Sequence, residues 1–346
     1  MSDAWKGPIG VSIRPEYEVF SPEKIAESAQ VAEKNGFDSV WTAESWGLDA
    51  VAVLSYIAAS TSRVKFGSLI LNVYSRTPEL LAMSAVTLND LSKGRFILGL
   101  GASTKALIEG WHGLKFEKPV ARMRDTVTVV KQLMAGGTND YQGETLGASG
   151  GYRLRFKPIS GTVPVYLGAL GPLGVKLTGQ LCDGWLPALL PMRGLREISA
   201  EIRAESKAAG RPENAVTMAP SIVTCCGDDG DEAREAARKH LAFYLGAMGP
   251  HYRGIVGRCG FEEEVEKIRV TWANKERDAS RLAVTDEMVD QITISGTVAE
   301  CREKLAQFRA AGADHPILSL PGTCTNRMVE LAIEKLAAPA AERANA

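Results

Sequence analysis

The segment 64–103 constrains the fold more tightly than any other part of the chain. It holds two apolar runs, residues 66–73 and 96–101, joined by an amphipathic stretch that Thr77-Pro78 opens and Ser92-Lys93-Gly94-Arg95 closes. Neither run alternates polar with apolar residues, so each predicts a strand buried on both faces. Strand, helix and strand of this kind form the unit of a parallel sheet wrapped in helices. In such sheets the working groups sit on the loops after the strands, here residues 74–77 and 102–105.

The same unit recurs along the chain. Further strands are predicted at 8–14, 39–43, 163–170, 183–187, 216–225 and 315–320, which with the first two make eight. Helix boundaries follow from local chemistry: Ser21 can cap, Pro22 fits the first helical position, Glu23 suits its positive end, and Asn35-Gly36 stops the helix. Thr77 and Thr297 open later helices, and Gly312 ends one. The glycine-rich stretch 141–156 predicts a hairpin insertion, and 109–113 reads as irregular. Residues 231–288 are helical in pattern but broken at Gly249-Pro250 and again near 257–260. That is too long for one crossover, so it predicts an insertion of several helices. The alanine-rich end, 337–346, predicts a frayed terminus. The expected fold class is therefore α/β, a (β/α)8 TIM barrel with insertions after strands 4 and 7, as one domain over 1–346. A barrel of ~250 residues plus insertions accommodates the 346 present.

Net charge decides the class of partner. With 40 basic against 41 acidic residues the chain carries −1, which gives no electrostatic reason to expect nucleic acid or an anionic membrane. No apolar run reaches the ~20 residues of a membrane span, and the N-terminus lacks a signal pattern. The six cysteines are scattered without a CxxC pair, the pattern of reduced thiols in a cytoplasmic protein. Candidate site residues are those just past each strand: Glu44, Ser45 and Trp46; Asn72, Tyr74, Ser75 and Arg76; Ser103, Thr104 and Lys105; and the run Gly168-Ala169-Leu170-Gly171-Pro172. That run leads into a helix whose N-terminus could bind phosphate, or its glycines could only ease a tight turn.

Several barrel chemistries lack their groups. Lys105, the one lysine suited to a Schiff base, falls in a loop rather than on a strand. Of the four histidines, His112 alone sits near the expected face, whereas His240, His251 and His315 suit structural roles, so no metal is expected. Glycosidase chemistry needs two facing carboxylates, and Glu44 has only Glu109 as a possible partner. What remains is a barrel with a phosphate-type loop, small polar groups and aromatics, which suits a bound cofactor that supplies the reactivity.

Val40-Trp41-Thr42-Ala43-Glu44-Ser45, Arg76-Thr77-Pro78, the run from Thr87 through Asn89-Asp90-Leu91-Ser92-Lys93-Gly94-Arg95 to Phe96, and Leu98-Gly99-Leu100-Gly101 resemble the bacterial luciferase-like superfamily. Gly168–Pro172, Cys182-Asp183-Gly184-Trp185 and Ile294-Ser295-Gly296-Thr297 are similar to it as well, so the likeness spans almost the whole chain. Within that superfamily the chain most resembles the branch using the deazaflavin coenzyme F420, alongside methylenetetrahydromethanopterin reductase and the F420-dependent dehydrogenases.

The resemblance implies a non-prolyl cis peptide at Leu69–Ile70, bulging toward the deazaflavin ring, with Asn72 nearby. It implies cofactor phosphate held by Gly168, Ala169, Leu170, Gly171 and Pro172, with Ser103 and Thr104 near the tail or phosphate. Glu44 and Ser45 match positions where relatives often carry Asp and His. Ser45 cannot act as a general acid or base as histidine does near neutral pH, so a proton must come from Glu44, Glu109, His112 or a water. Trp46, Tyr74 and Trp111, with His112, are candidates for the substrate wall. The expected activity is hydride exchange between F420 and an organic small molecule. The alternatives are an FMN-dependent two-component monooxygenase and a non-catalytic flavin or deazaflavin carrier. The resemblance also implies a homodimer, paired through barrel helices near strands two to four.

Overall fold

In the computed structural model, which describes residues 3–13 and 21–338, eleven strand segments form one all-parallel sheet. In chain order these are β1 (Gly10–Ser12), β2 (Ser39–Thr42), β3 (Lys65–Ser68), β4 (Leu71–Asn72), β5 (Phe96–Gly101), β6 (Val165–Gly168), β7 (Gly184–Trp185), β8 (Thr217–Met218), β9 (Ser221–Cys226), β10 (Thr293–Gly296) and β11 (Ile317–Ser319). Their spatial order is β10-β9-β11-β1-β2-β3-β5-β6-β7-β8, with β4 also beside β5. The predicted strand at 8–14 is seen as β1; Arg14 lies outside the described residues.

The sheet curls back on itself through residues 217–226. Ala219 N donates to Trp185 O at 2.9 Å and Ser221 N to Pro187 O at 2.8 Å, on the β7 side. On the other side Ile317 N donates to Pro220 O at 2.8 Å, and Ser221 faces Ile317 in register. Pro220 has no N–H to offer a neighbour, which marks the break between β8 and β9. β10 is a correction to the expected strand count. It takes the edge of β9 that the chain leaves after Ala188. All four of its residues are buried although only Ile294 is strongly apolar. Thr293 Oγ1 satisfies itself on Val289 O and Ser295 Oγ, both at 2.8 Å, so the buried polar groups are not orphaned.

Helices connect the strands: α1 (Pro22–Lys34), α2 (Ala50–Ser60), α3 (Pro78–Leu91), α4 (Lys105–Gly110), α5 (Pro119–Met134), α6 (Pro172–Leu181), α7 (Met192–Ala208), α8 (Gly230–Ala247), α9 (Pro250–Val256), α10 (Glu262–Ala273), α11 (Arg277–Leu282), α12 (Asp286–Ile292), α13 (Val298–Ala310) and α14 (Asn326–Lys335). The expected caps are in place at Ser21, Thr77 and Thr297, the last in a capping box with Glu300. α4 corrects the first part of the reading of 109–113 as irregular: Thr104 caps a short helix that runs to Gly110, and 111–113 are irregular as expected. Residues 139–152 carry two antiparallel bridges, Asn139 with Tyr152 and Gln142 with Gly147. The expected frayed end is half answered. Ala337 and Ala338 are buried, and 339–346 lie outside the described residues.

Alternation along each strand builds two cores. Val40, Phe66, Leu98 and Val165 face the helices in the large outer cluster, where Phe66 and Phe96 rings lie 5.5 Å apart. Their neighbours Trp41 and Ile97 face inward, with Leu186, Ala219 and Ile317, and Leu69, Ile70 and Tyr166 pack on this inner cluster. Each fully buried Leu or Phe side chain contributes roughly 1.5–3 kcal/mol. Trp41 Nε1 donates to Ser39 Oγ at 2.6 Å, and that hydroxyl lies 2.6 Å from His315 Nε2. Among the described residues no helix is long and apolar enough to cross a membrane.

Candidate functional site

The site is built around the break between β3 and β4, both of which pair with β5. Ser68 is fully buried, and its hydroxyl accepts from Gly99 N at 2.9 Å and donates to Gly99 O at 2.8 Å. A Cβ at Gly99 would collide with the Ser68 carbonyl, so glycine lets β5 close on this point. Gly67 pairs with Ile97 and Leu71 with Leu100, so four steps along one strand answer three along the other, a one-residue bulge. The Leu69–Ile70 peptide inside that bulge is cis, where the family resemblance placed it. The Ile70 side chain reaches across the ends of two further strands. A Cβ at Gly101 would sit 3.1 Å from Ile70 Cδ1, and one at Gly168 would sit 3.3 Å from Ile70 Cγ2. Leu69 and Ile70 are half-buried, closing the inner core below and open above.

Around this floor the predicted residues fall into groups. Asn72 is buried, and its side-chain oxygen accepts from Tyr74 N at 3.0 Å and Ser75 N at 2.7 Å while its amide donates to Ser75 Oγ at 2.7 Å. It therefore shapes the loop after β4. Ser103 takes a left-handed backbone with φ 60°, which turns the chain directly past β5. Thr104 caps α4 by accepting from Leu107 N at 3.3 Å. After β6, Trp185 Nε1 donates to Ala169 O at 2.6 Å and fixes the 168–172 loop from below. Gly171 stands at the start of α6 with no side-chain cap, and the position of its absent Cβ faces open space.

Glu44 is tied down. Its Oε1 accepts from Arg76 Nη2 at 2.9 Å and from Ala50 N at 3.2 Å, and only 11% of its side chain is exposed. Arg76 Nη2 also reaches Asp49 Oδ2, while Arg76 Nε is buried without a partner. Burial works upward on the Asp49 carboxyl, but the Ala52 N–H and the Arg76 guanidinium hold it below its usual range. Glu109 Oε1 accepts from Phe116 N at 3.3 Å. The bonds of Glu44 thus run to α2 and Arg76, not to Glu109 or His112. His112 Nε2 is buried and has no hydrogen-bond partner. Tyr74 donates its hydroxyl to Glu117 O at 2.8 Å and packs on Phe116 at 5.3 Å, tying the loop after β4 to the segment before α5. Trp46 and Trp111 are 57% and 63% exposed, so neither is a core residue. Ser68 and Gly99 were not singled out from sequence. A serine inside an apolar strand run, which needs a buried partner, is the signal that could have found them.

Residues 4–315 match the sequence family described as luciferase-like monooxygenase. A protein of Mycobacterium tuberculosis, provisionally named a coenzyme F420-dependent oxidoreductase, is 33% identical over 84% of this chain and 89% of its own length. The 5,10-methylenetetrahydromethanopterin reductase of Archaeoglobus fulgidus is 30% identical over 90% of this chain and 93% of its own. Among solved structures, the coenzyme F420-dependent tetrahydromethanopterin reductase of Methanopyrus kandleri superposes with a TM-score of 0.81 at 24% identity, covering 95% of this chain and 98% of that one. An F420-dependent secondary alcohol dehydrogenase gives 0.77 at 22% identity, covering 95% and 97%. At those identities the superpositions speak for the fold alone. The family match and the relatives together place this chain in the luciferase-like monooxygenase family.

Proposed function

We propose that the chain is a coenzyme F420-dependent oxidoreductase that exchanges a hydride between the coenzyme and a small organic substrate. The observation that carries this is the 33% identity, over 84% of the chain, to a relative named for that activity. In this reading the curled sheet is a (β/α)8 barrel forming one domain, with insertions after its fourth and seventh strands. The coenzyme would lie at the carboxyl ends of the strands, over Leu69–Ile70.

The residues present fit such a group. The uncapped start of α6 aims free N–H groups into open space beside Gly171, which suits a phosphate. Ser103 and Thr104, past the adjacent β5, flank that loop's strand neighbour. Bound there, the coenzyme supplies the two-electron hydride chemistry. The chain's own residues orient, exclude water and handle protons. Ile70 forms the floor, Gly101 and Gly168 leave room for it, and Trp46, Tyr74 and Trp111 form the substrate wall. Glu44 is engaged with Arg76 and α2, so it serves to hold the loop. His112 Nε2, buried and unpartnered, is the atom placed to hold or pass a proton, and Ser45 offers a hydrogen bond only. A homodimer belongs to the same reading.

Titrating the purified protein separately with F420 and FMN tests it, followed by turnover over a panel of alcohols and reducible substrates. Tighter binding of F420 is expected, with turnover lowered roughly 100-fold in His112→Ala and binding retained. Tighter binding of FMN would point to the monooxygenase instead. Binding of F420 without turnover of any substrate would point to a carrier.

A further inference from the structure

Cys225 and Cys226 are consecutive residues of β9, so their side chains face opposite sides of the sheet, and each meets another thiol. Cys226 contacts Cys301 on α13. Cys225 Sγ lies 3.4 Å from Cys324 Sγ, which is carried on the loop between β11 and α14. Cys324 Sγ also donates to Thr224 O at 3.5 Å, which keeps it over the end of β9. The loop is held at the cysteine itself, by Thr323 Oγ1 donating to Ala236 O at 2.8 Å and by Cys324 N donating to Pro321 O at 3.0 Å. Cys225, Cys226 and Cys301 are 0% exposed, whereas Cys324 is half-buried. Of the four thiols gathered here, Cys324 is the one a small solute can reach.

We propose that Cys225 and Cys324 form a reversible disulfide, making this strand end an oxidation site that takes a small peroxide as its oxidant. The Cys324 thiolate attacks one peroxide oxygen; an S–O bond forms, the O–O bond breaks, and the released hydroxide leaves as water with a proton. The Cys225 sulfur then attacks the Cys324 sulfur of that sulfenic acid. The S–S bond forms, the S–O bond breaks, and a second water leaves with the proton of Cys225. Two electrons pass from the sulfur pair to the peroxide, and nothing else is consumed. The hydrogen bond to Cys324, and then burial, push the Cys225 thiol up well above its ordinary range, so the first attack belongs to Cys324. Closing the pair would take the sulfurs from 3.4 Å to about 2.0 Å, a shift assigned to Cys324, since β9 is held by its pairing with β10. The Cys226–Cys301 pair is the internal control. It is a second thiol pair at a similar place, with Cys226 held below its ordinary range by the hydrogen bond with Cys301, but it has no access.

The test is to treat the reduced full-length protein with stoichiometric hydrogen peroxide, alkylate under denaturing conditions, and map peptides without reductant. The free thiols should fall by two from six, with a Cys225–Cys324 cross-linked peptide that dithiothreitol abolishes. Cys226 and Cys301 should be recovered alkylated. In Cys324→Ser no cross-link should form and the other five thiols should stay free, while Cys225→Ala should accumulate a sulfenic acid at Cys324 that dimedone traps. Retention of all six thiols in the wild type, a cross-link between other cysteines, or a Cys324 sulfenic or sulfinic acid beside an alkylated Cys225 would each overturn the proposal. The wild-type peptide map suffices even if Cys225→Ala fails to fold.

Discussion

Two glycines near the Leu69–Ile70 bulge, Gly99 and Gly168, do different work, and an added methyl group separates them. At Gly99 a Cβ meets the Ser68 carbonyl, a backbone atom that cannot step aside. At Gly168 it meets Ile70 Cγ2 at 3.3 Å, the tip of a half-buried side chain that can shift by a few tenths of an ångström. Gly99→Ala should therefore cost more than about 3 kcal/mol in denaturant unfolding, against about 1 kcal/mol or less for Gly168→Ala. Because Ile70 is the proposed floor of the coenzyme site, Gly168→Ala should still weaken F420 binding about tenfold, which is ~1.4 kcal/mol. Equal stability costs in the two variants would refute the packing argument, and unchanged affinity in Gly168→Ala would remove Ile70 from the floor. The same neighbourhood shows what sequence can and cannot tell at this scale. Glu44 stands out as the acid after a buried strand, yet its partner Arg76 is 32 residues away. Strand order alone brings them together, so a catalytic and a structural carboxylate look identical until the loop is folded.

Elements were legible where local chemistry decides them. Ser21, Thr77 and Thr297 mark helix starts by their own side chains, and the runs at 66–73 and 96–101 are strands because nothing else buries such residues on both faces. β10 was illegible for the opposite reason. Thr293-Ile294-Ser295-Gly296 carries no apolar run, and it is a strand because β9 offers it an edge. The segment 139–152 is an intermediate case: its glycines announce a hairpin, but its anchoring depends on α5. Asp125 of α5 is fully buried and accepts from Thr145 N at 2.7 Å, Thr145 Oγ1 at 2.8 Å and the Tyr141 hydroxyl at 3.0 Å. Burial alone would raise its carboxyl, but these bonds and Arg124 win and hold it below the ordinary value. A carboxyl whose folded value lies below its unfolded one, about 3.9, adds stability that is fully present above that pH. The contribution is lost as pH falls through the lower folded value. Limited proteolysis between pH 6 and 2 should thus show 139–152 becoming cleavable only in the acid range. Asp125→Asn should make it cleavable at every pH, through the loss of roughly 1–3 kcal/mol of bonded acceptor. A wild type and variant with the same acid profile would mean that another group anchors the segment.

The whole molecule depends on whether the curled sheet behaves as a closed one. A sheet with two free edges frays from them, whereas a closed one has no edge to lose. The place to look is the junction at 217–221, where one short stretch is bonded to β7 by Ala219 N, to Pro187 just past β7 by Ser221 N, and to the start of β11 through Pro220 O. Asp314 reinforces it, since Oδ2 accepts from Met218 N at 2.9 Å and the Asp314 N–H donates to Met218 O at 2.9 Å. If this seam closes a single cooperative barrel, the amides of Ala219 and Ile317 should exchange with solvent only through global opening. Their opening free energies should then agree within about 1 kcal/mol with those of amides far from the seam, such as Leu69 N on Thr42 O and Leu98 N on Pro164 O. If the seam were instead two edges lying side by side, Ala219 and Ile317 would open locally, and their exchange would run far ahead of Leu98. Native-state hydrogen exchange at rising denaturant distinguishes the two. In a closed barrel all four amides merge onto one line from the start, while a seam of free edges keeps two of them on a separate, shallower line until global unfolding overtakes it.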